Sequence, residues 1–183
     1  MTALVAVAVA PRPAVADPAL EATVAAGANA ASYRHDRGLG AALGLGAGLV
    51  VAPTATLGLD VVVAGNNEPD GVGMTLEYRS VELHATAARR FGRVTIALGI
   101  GPVRRDRTRT DDTGSPPFQE DRSWSFGMRL SASVAVLELS QGALEIVGAL
   151  DRTSITTAVL SENTDATTSL FLGIGYRFAG GPR

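Results

Sequence analysis

The 183-residue sequence contains no cysteine. It also contains no lysine, and all 16 of its basic residues are arginines. The lack of cysteine excludes a disulfide framework and any thiolate-ligated zinc or iron–sulfur site. The 18 acidic residues bring the formal net charge to −2, and no basic stripe marks a nucleic-acid-binding surface. We therefore expect neither a disulfide-stabilised scaffold nor a nucleic-acid-binding protein.

Long apolar runs are also missing, although 46% of the residues are hydrophobic and only 19% are charged. No stretch approaches the length of about 20 apolar residues that a membrane-spanning helix needs. The low charge and the high apolar fraction argue against disorder. The length predicts one domain with a single core.

The N-terminal residues have the pattern of an export signal. A short apolar run covers residues 3–10, and the sequence Ala14-Val15-Ala16-Asp17 fits the small-x-small rule of signal-peptidase cleavage. We predict a signal peptide over residues 1–16 and a mature domain over residues 17–183, as in an exported bacterial protein. The alternative is an alanine-rich disordered tail.

The mature sequence alternates between apolar and small or polar residues. In residues 39–51 leucine, valine and alanine occupy the odd positions, and four glycines fall within the nine residues 40–48. A helix would lose about 1 kcal/mol for each glycine relative to alanine, so this segment is predicted to be a strand. About eight strands are predicted in this way. They cover residues 20–34, 39–51, 55–64, 73–88, 93–105, 124–137, 143–157 and 169–178.

Two further features refine this prediction. The apolar residues change parity near Ser80, which predicts a β-bulge there because one extra residue reverses every later side chain.

The connections alternate in length, as the tight periplasmic turns and long external loops of outer-membrane barrels do. Short connections are predicted at residues 52–54, 89–92 and 140–142, and longer polar ones at residues 35–38, 66–71, 106–122 and 160–165.

The composition of the two strand faces indicates which one points outward. A water-exposed face normally carries many charges, but the less apolar face here is mostly glycine, alanine, serine and threonine. Small residues suit the narrow interior of an eight-stranded barrel, and the aliphatic face then meets hydrocarbon. The isolated charged and polar residues of the inner face are predicted to form a lumen network. They are Asp60, Glu82, His84, Arg129, Glu145, Asp151 and Arg177.

The C-terminal stretch LFLGIGYRF, with Gly173, Tyr176 and Phe178, resembles the final-strand signature of bacterial outer-membrane β-barrels. The whole mature chain is similar to the small OmpA/OmpX-type barrels. This resemblance implies an all-β, eight-stranded antiparallel up-and-down transmembrane barrel in the bacterial outer membrane. It also implies contact with outer-membrane lipid, including lipopolysaccharide, and recognition of the last strand by the barrel-assembly machinery.

Aromatic residues near predicted strand ends are typical of interfacial girdles. They are Phe91, Trp124, Phe126, Tyr176 and Phe178.

Catalytic and metal sites are not expected. His84 beside Glu82 has the residue types of a proton-handling pair, but we favour a lumen network with Arg129 or Arg177. His35 with Asp36 lies at the external rim without an evident nucleophile. Two histidines and no cysteine leave carboxylates to supply most ligands, so neither a metal site nor a cofactor is predicted.

Four closely spaced arginines, Arg104, Arg105, Arg107 and Arg109, begin the third long connection. Guanidinium groups bind phosphate bidentately, so these residues are a possible external patch for lipopolysaccharide phosphates or acidic glycans. The alternative, which we favour, is a strand that extends above the membrane and whose arginines neutralise nearby acidic residues. These acidic residues are Asp106, Glu120 and Asp121.

The sequence thus predicts a monomeric outer-membrane barrel with a structural or surface-interaction role and without a wide pore. Two alternatives stay open at this stage. One is an enzyme barrel that modifies envelope lipids, and the other is a soluble periplasmic lipocalin-like binding barrel.

Overall fold

The computed structural model describes residues 19–33, 36–69, 74–111, 113, 119–154 and 167–180. The predicted signal peptide, residues 1–16, lies outside the described residues. The described chain forms eight strands, which confirms the predicted number. They are β1 (Leu20–Tyr33), β2 (Asp36–Ala52), β3 (Ala55–Pro69), β4 (Met74–Phe91), β5 (Val94–Asp111), β6 (Gln119–Leu139), β7 (Gly142–Ser154) and β8 (Thr167–Gly180).

The eight strands close into one antiparallel up-and-down barrel. Each strand pairs with the next in sequence, and β8 returns to β1 with pairs running from Leu20–Gly180 to Tyr33–Thr167. Closure leaves no sheet edge with unpaired backbone groups. The predicted fold class is therefore confirmed. No helix in the described part of the chain is long and apolar enough to cross a membrane.

The connections have different lengths at the two ends of the barrel. At the end here named the turn end, residues 53–54, 92–93 and 140–141 link the strands. Gly92 adopts a φ of 61° there, a backbone conformation that glycine reaches without steric strain. At the opposite end, named the loop end, residues 34–35, 70–73, 112–118 and 155–166 separate the strands.

Several predicted loop residues belong to strands. The longer connection expected at residues 35–38 is wrong, because Tyr33 of β1 pairs directly with Asp36 of β2. Residues 106–111 and 119–122 likewise extend β5 and β6 instead of forming a loop. Their polarity suits exposure to water, and cross-strand pairing still satisfies their backbone groups. A polar sequence therefore did not mark the end of the strand.

The predicted bulge near Ser80 is also wrong. The β3–β4 register runs without a shift from Ala55–Arg89 to Pro69–Thr75. Leu76 is buried and Tyr78 half-buried, so the apolar residues at this end of β4 face the barrel interior. The apolar residues change parity because they face the interior near the loop end of β4 and face outward further along the same regular strand. Register shifts occur instead at residues 50–52 and 135–137.

The inner and outer faces differ in the way that the alternation predicts. The interior contains small or buried side chains, including a cluster of Ala42, Val62, Ala64, Ala149 and Phe171. The exterior is covered by aliphatic side chains that are about half exposed. Examples are Leu43, Leu45, Leu59, Val63, Leu83, Ile96, Leu98, Leu130, Val134, Ile146, Leu150, Leu172 and Ile174.

Candidate functional site

The charged interior is the main candidate site, and one part of it lies near the turn end. Arg177 Nε of β8 donates a hydrogen bond of 2.7 Å to Glu145 Oε1 of β7. Arg177 Nη1 also lies 3.6 Å from Glu21 Oε1 of β1, which accepts a hydrogen bond from Arg90 Nη2. Thr56 Oγ1 donates to the second Glu21 oxygen over 3.1 Å. These contacts connect four strands through paired charges, which is how buried charges persist in a protein interior.

A second group of charges lies near mid-barrel. Arg129 and Asp151 are register partners on β6 and β7, and both are buried. Arg129 Nη1 donates to both carboxylate oxygens of Asp151 at 3.0 and 2.9 Å. The guanidinium carbon also lies 5.8 Å from the ring centroid of Phe171. The arginine is therefore held from two sides, by a carboxylate and by an aromatic ring.

Glu82 and His84 of β4 complete the mid-barrel group. Both face the interior, and the His84 side chain has no solvent exposure. His84 Nε2 lies 3.6 Å from Glu82 Oε2, and Ser80 Oγ donates to the other glutamate oxygen over 3.2 Å. Asp60 of β3 is the register partner of His84. The structure thus places all seven residues of the predicted network on the inner face of the barrel.

A cavity of about 150 Å³ occupies the lumen between these two groups. Glu21, Glu145 and Arg177 line it towards the turn end, and Asp60 and Arg129 line it towards mid-barrel. Much of its remaining wall is glycine, alanine, serine and threonine. These small residues leave room that larger side chains would fill, and the cavity is large enough for several water molecules.

Polar contacts continue above mid-barrel on the inner face. Arg105 of β5 donates hydrogen bonds to Thr153 of β7 and Thr167 of β8. Asn29 Nδ2 donates to Asn66 Oδ1 over 3.2 Å, and both side chains are buried. These contacts join strands that are not neighbours near the loop end. The interior is therefore bridged by side chains over most of its length.

The four arginines of the possible external patch do not lie on one face. Arg104 and the neighbouring Asp106 point outward, whereas Arg105, Arg107 and Arg109 occupy the inward parity of β5. Arg105 donates its hydrogen bonds to Thr153 and Thr167 in the interior. The guanidinium carbon of Arg107 lies 5.7 Å from the ring centroid of Tyr78. The side-chain alternation of an extended strand separates residues that are adjacent in sequence.

The outward members form a charged cluster with β6. Asp106 Oδ1 accepts a hydrogen bond of 2.9 Å from Arg122 Nε, and its Oδ2 lies 3.2 Å from Arg104 Nη2. Hydrogen bonding from Arg122 and, to a lesser extent, from Arg104 lowers the pKa of Asp106 below its usual value. The carboxylate therefore stays ionised in more acidic solution than an isolated aspartate would. This agrees with neutralisation of Asp106, which the sequence suggested.

Two of the three aromatic residues of the final strand, Tyr176 and Phe178, lie on its outward parity, whereas Phe171 is buried inside. The rings of Tyr176 and Phe178 meet edge to face, with their centroids 4.4 Å apart. Phe178 pairs with Ala22 of β1, and Ala179 and Gly180 continue the same ladder. Gly173 lies on the inner parity, where an added Cβ would approach Phe171 Cζ to 2.6 Å. Residues beyond Phe178 thus take part in barrel closure.

Similar architectures occur among solved structures, although no family model and no curated protein sequence matches the chain. Neisserial surface protein A is 17% identical, with 87% of this chain and 96% of that chain aligned and a TM-score of 0.55. Ail, the attachment invasion locus protein of Yersinia pestis, is 11% identical, with 89% and 100% aligned and a TM-score of 0.55. The chain has the fold of the small outer-membrane β-barrels. Outer membrane protein OprG of Pseudomonas aeruginosa is a further match, at 13% identity, 88% and 97% coverage and a TM-score of 0.51.

Sequence reasoning missed some lumen residues of this outer-membrane-type barrel. The sequence pattern does not single out Glu21 and Arg90, because the alternation is weak in β1 and the predicted fourth strand ends at residue 88. Parity alone identifies them, since Glu21 shares the inner face with Thr23 and Arg90 shares it with His84. Of the predicted rim pair, His35 lies outside the described residues. Asp36 is the first residue of β2.

Proposed function

We propose that the chain is an integral protein of a bacterial outer membrane, with a structural or surface-interaction role. The observation that carries this proposal is the continuous aliphatic exterior of a closed barrel with a polar interior. Soluble proteins rarely expose contiguous apolar patches beyond a few hundred Å². A soluble lipocalin-like barrel would have the reverse arrangement, with its aliphatic side chains around the ligand cavity.

The height of the apolar belt matches a bilayer. On the outer face of β4, the exposed residues Arg79 and Arg89 bracket the apolar segment from Val81 to Ala87. The ten-residue separation of the two arginines corresponds to about 33 Å along an extended strand. A tilt of about 40° reduces this to about 25 Å, the height of the apolar band in outer-membrane barrels.

The loop-end border of this belt carries positive charge. Arg79, Asp106 and Arg122 are register partners on three successive strands, and Arg104 lies beside them. Guanidinium groups at this level would meet the phosphates of lipopolysaccharide. The neighbouring acidic groups, Asp106 and Glu77, limit the excess of positive charge. We therefore propose lipid headgroups as the partners of this surface.

A structural or surface role fits the lumen better than transport or catalysis does. The Arg90–Glu21 and Arg105–threonine contacts cross the interior between strands that are not neighbours. The Arg129–Asp151 and Arg177–Glu145 pairs on neighbouring strands help to fill the lumen, as expected for eight strands. The aromatic C-terminal strand supports delivery of the chain to the barrel-assembly machinery. Because β1 and β8 pair along their full length, the barrel closes within one chain and a monomer suffices.

Cell fractionation tests the location, and gel mobility of the solubilised protein tests barrel closure. We expect the protein in the outer-membrane fraction, released only by detergent, because the aliphatic belt would be insoluble in water. The unheated protein should migrate faster than the boiled protein, since the closed barrel stays compact until heat unfolds it.

Release by osmotic shock without detergent would contradict the membrane assignment and select the soluble binding barrel. Equal mobility before and after boiling would contradict a closed barrel. The enzymatic alternative is tested by comparing envelope-lipid modification by the parent chain and by the His84→Gln variant. Loss of such an activity in the variant would support an enzyme.

A further inference from the structure

The most unusual group in the barrel is formed by three buried side chains, Glu82, His84 and Asp151. One ligand-type atom from each lies within 4.8 Å of the other two, which is a spacing suited to a shared ion. Glu82 and His84 come from β4 and Asp151 comes from β7, so the group forms only when the barrel closes across its lumen. The sequence alone predicted no metal site, because two histidines and no cysteine leave carboxylates to supply most of the ligands.

Unpartnered polar atoms point to a ligand at this group. Within the part of the chain that the structure describes, neither ring nitrogen of His84 has a hydrogen-bond partner, and neither has Glu82 Oε2. His84 is completely buried, and the Glu82 side chain is only 6% exposed. A buried polar atom without a partner destabilises the fold, so such atoms in native proteins usually contact water or an ion.

The backbone around His84 leaves room for the imidazole ring. An added Cβ at Gly99 would lie 3.0 Å from His84 Cβ, and one at Gly127 would lie 3.6 Å from His84 Nε2. Larger residues at these two positions of β5 and β6 would push against the ring. Glycine on the neighbouring strands therefore accommodates histidine at this point of a narrow lumen.

The charges around His84 favour a cation. Three carboxyl groups, those of Asp60, Glu82 and Asp151, lie near the two guanidinium groups of Arg105 and Arg129, so acidic side chains outnumber basic ones around the imidazole. Arg129 donates to both oxygens of Asp151 and thereby fixes the orientation of this carboxylate. Hydrogen bonds of this kind position ligating carboxylates in metal sites.

We propose that Glu82, His84 and Asp151 form a binding site for a divalent transition-metal ion, with Zn²⁺ the best match to the donor set. One imidazole nitrogen and two carboxylates are donors that zinc accepts, and the imidazole disfavours Mg²⁺ and Ca²⁺. Water would supply the remaining coordination position. Arg129 lines the lumen cavity and contacts Asp151, so an ion in the cavity has a short path to the group.

Zinc binding to the purified full-length chain in detergent tests this proposal. The metal is first removed with a chelator, and binding of Zn²⁺ alone is then measured by isothermal titration calorimetry. We expect one zinc ion per chain, with affinity reduced at least ~10-fold in Glu82→Gln and in His84→Gln. The matched controls are Glu145→Gln, which alters another lumen carboxylate, and His35→Gln, which alters the only other histidine of the sequence. Both should bind zinc as the parent chain does.

Absence of stoichiometric zinc binding at ~100 μM free Zn²⁺, a concentration far above the dissociation constants of structural zinc sites, would overturn the proposal. A loss of zinc binding in His35→Gln without any loss in His84→Gln would also overturn it, because zinc would then bind a site that depends on His35 and not on His84. Gel mobility before and after boiling shows independently whether each variant is folded.

If a variant fails to fold, zinc-edge X-ray absorption of the parent chain still decides. We expect a shell of oxygen and nitrogen ligands at about 2.0–2.2 Å that includes one imidazole. A shell without imidazole would contradict the site. The outcome is separate from the membrane proposal, which the fractionation experiment addresses.

Discussion

Leu98 and Gly99 are neighbours in β5, yet they meet opposite surroundings. Leu98 points outward and is about half exposed, whereas Gly99 is buried beside His84. Each strand repeats this contrast, because successive side chains of an extended chain point to opposite faces. A single substitution therefore has a cost that depends on the medium outside the barrel, which gives a residue-scale test of the membrane proposal.

Ile100→Arg should destabilise the barrel in lipid bilayers by about 2–4 kcal/mol, because its register partner Ala85 lies about midway between Arg79 and Arg89 and the charge would fall near the middle of the hydrocarbon. Leu39→Arg, at an exposed position near the loop end, should cost only about 0–1 kcal/mol. The measurement is the free energy of unfolding in lipid vesicles, from reversible denaturant titrations. If water surrounded the barrel, both changes would stay within about 0.5 kcal/mol, and the membrane assignment would fail.

At the scale of the element, glycine determines how closely neighbouring strands approach. Gly58 of β3 faces the lumen, and an added Cβ there would lie 2.5 Å from the Ala47 carbonyl oxygen and 3.0 Å from Gly48 Cα. Both contacts are with the backbone of β2, which cannot move without disturbing the pairing of the two strands. Gly44 of β2 also lines the lumen, but its added Cβ would make only ordinary contacts, at 3.9 and 4.0 Å.

Gly58→Ala should therefore reduce the free energy of unfolding by about 1–3 kcal/mol, the range found for overpacked interiors. Gly44→Ala is the control, and it should be neutral or stabilising by up to about 1 kcal/mol, because alanine restricts the unfolded chain. Denaturant titration of both variants under the same conditions measures the difference. Equal effects of the two substitutions would mean that strand approach at Gly58 is not limiting.

Strand length is the second property of the elements, and sequence reasoning underestimated it. The alternation located the apolar parts of β3, β5 and β6, but each strand continues into polar residues at the loop end. Backbone pairing does not require apolar side chains. The hydrophobic pattern therefore marks only the part of the strand that faces an apolar medium. The strand itself continues into the part that faces water.

At the scale of the whole molecule, closure produces a narrow lumen crossed by paired side chains. Arg90–Glu21 and Arg105–Thr153 join strands that are not neighbours across the interior. Arg129–Asp151 and Arg177–Glu145 link neighbouring strands, and the lumen cavity holds about 150 Å³. Barrels of 16–18 strands leave an aqueous channel, whereas eight strands leave an interior that side chains fill. Wide-pore transport does not fit this cross-section.

The folded protein in planar lipid bilayers should therefore show no porin-sized conductance. The physical reason is that hydrated ions would have to displace buried, paired charges along the lumen. A 16-stranded porin recorded in the same bilayers serves as the positive control for insertion and detection. Steady currents comparable with those of the porin would contradict a closed lumen.

The sequence by itself determined the strand number, the orientation of the two faces and the inner position of Asp60, Glu82, His84, Arg129, Glu145, Asp151 and Arg177. It could do so because side-chain parity is a local property with a period of two residues. Only the tertiary structure decided that Arg129 pairs with Asp151 and that Arg104 and Arg105 point to opposite faces of β5. It also decided that Glu82, His84 and Asp151 come together. The last of these contacts joins strands that are remote in sequence. Barrel closure and register set such distances, and neither can be read from the alternation of a single strand.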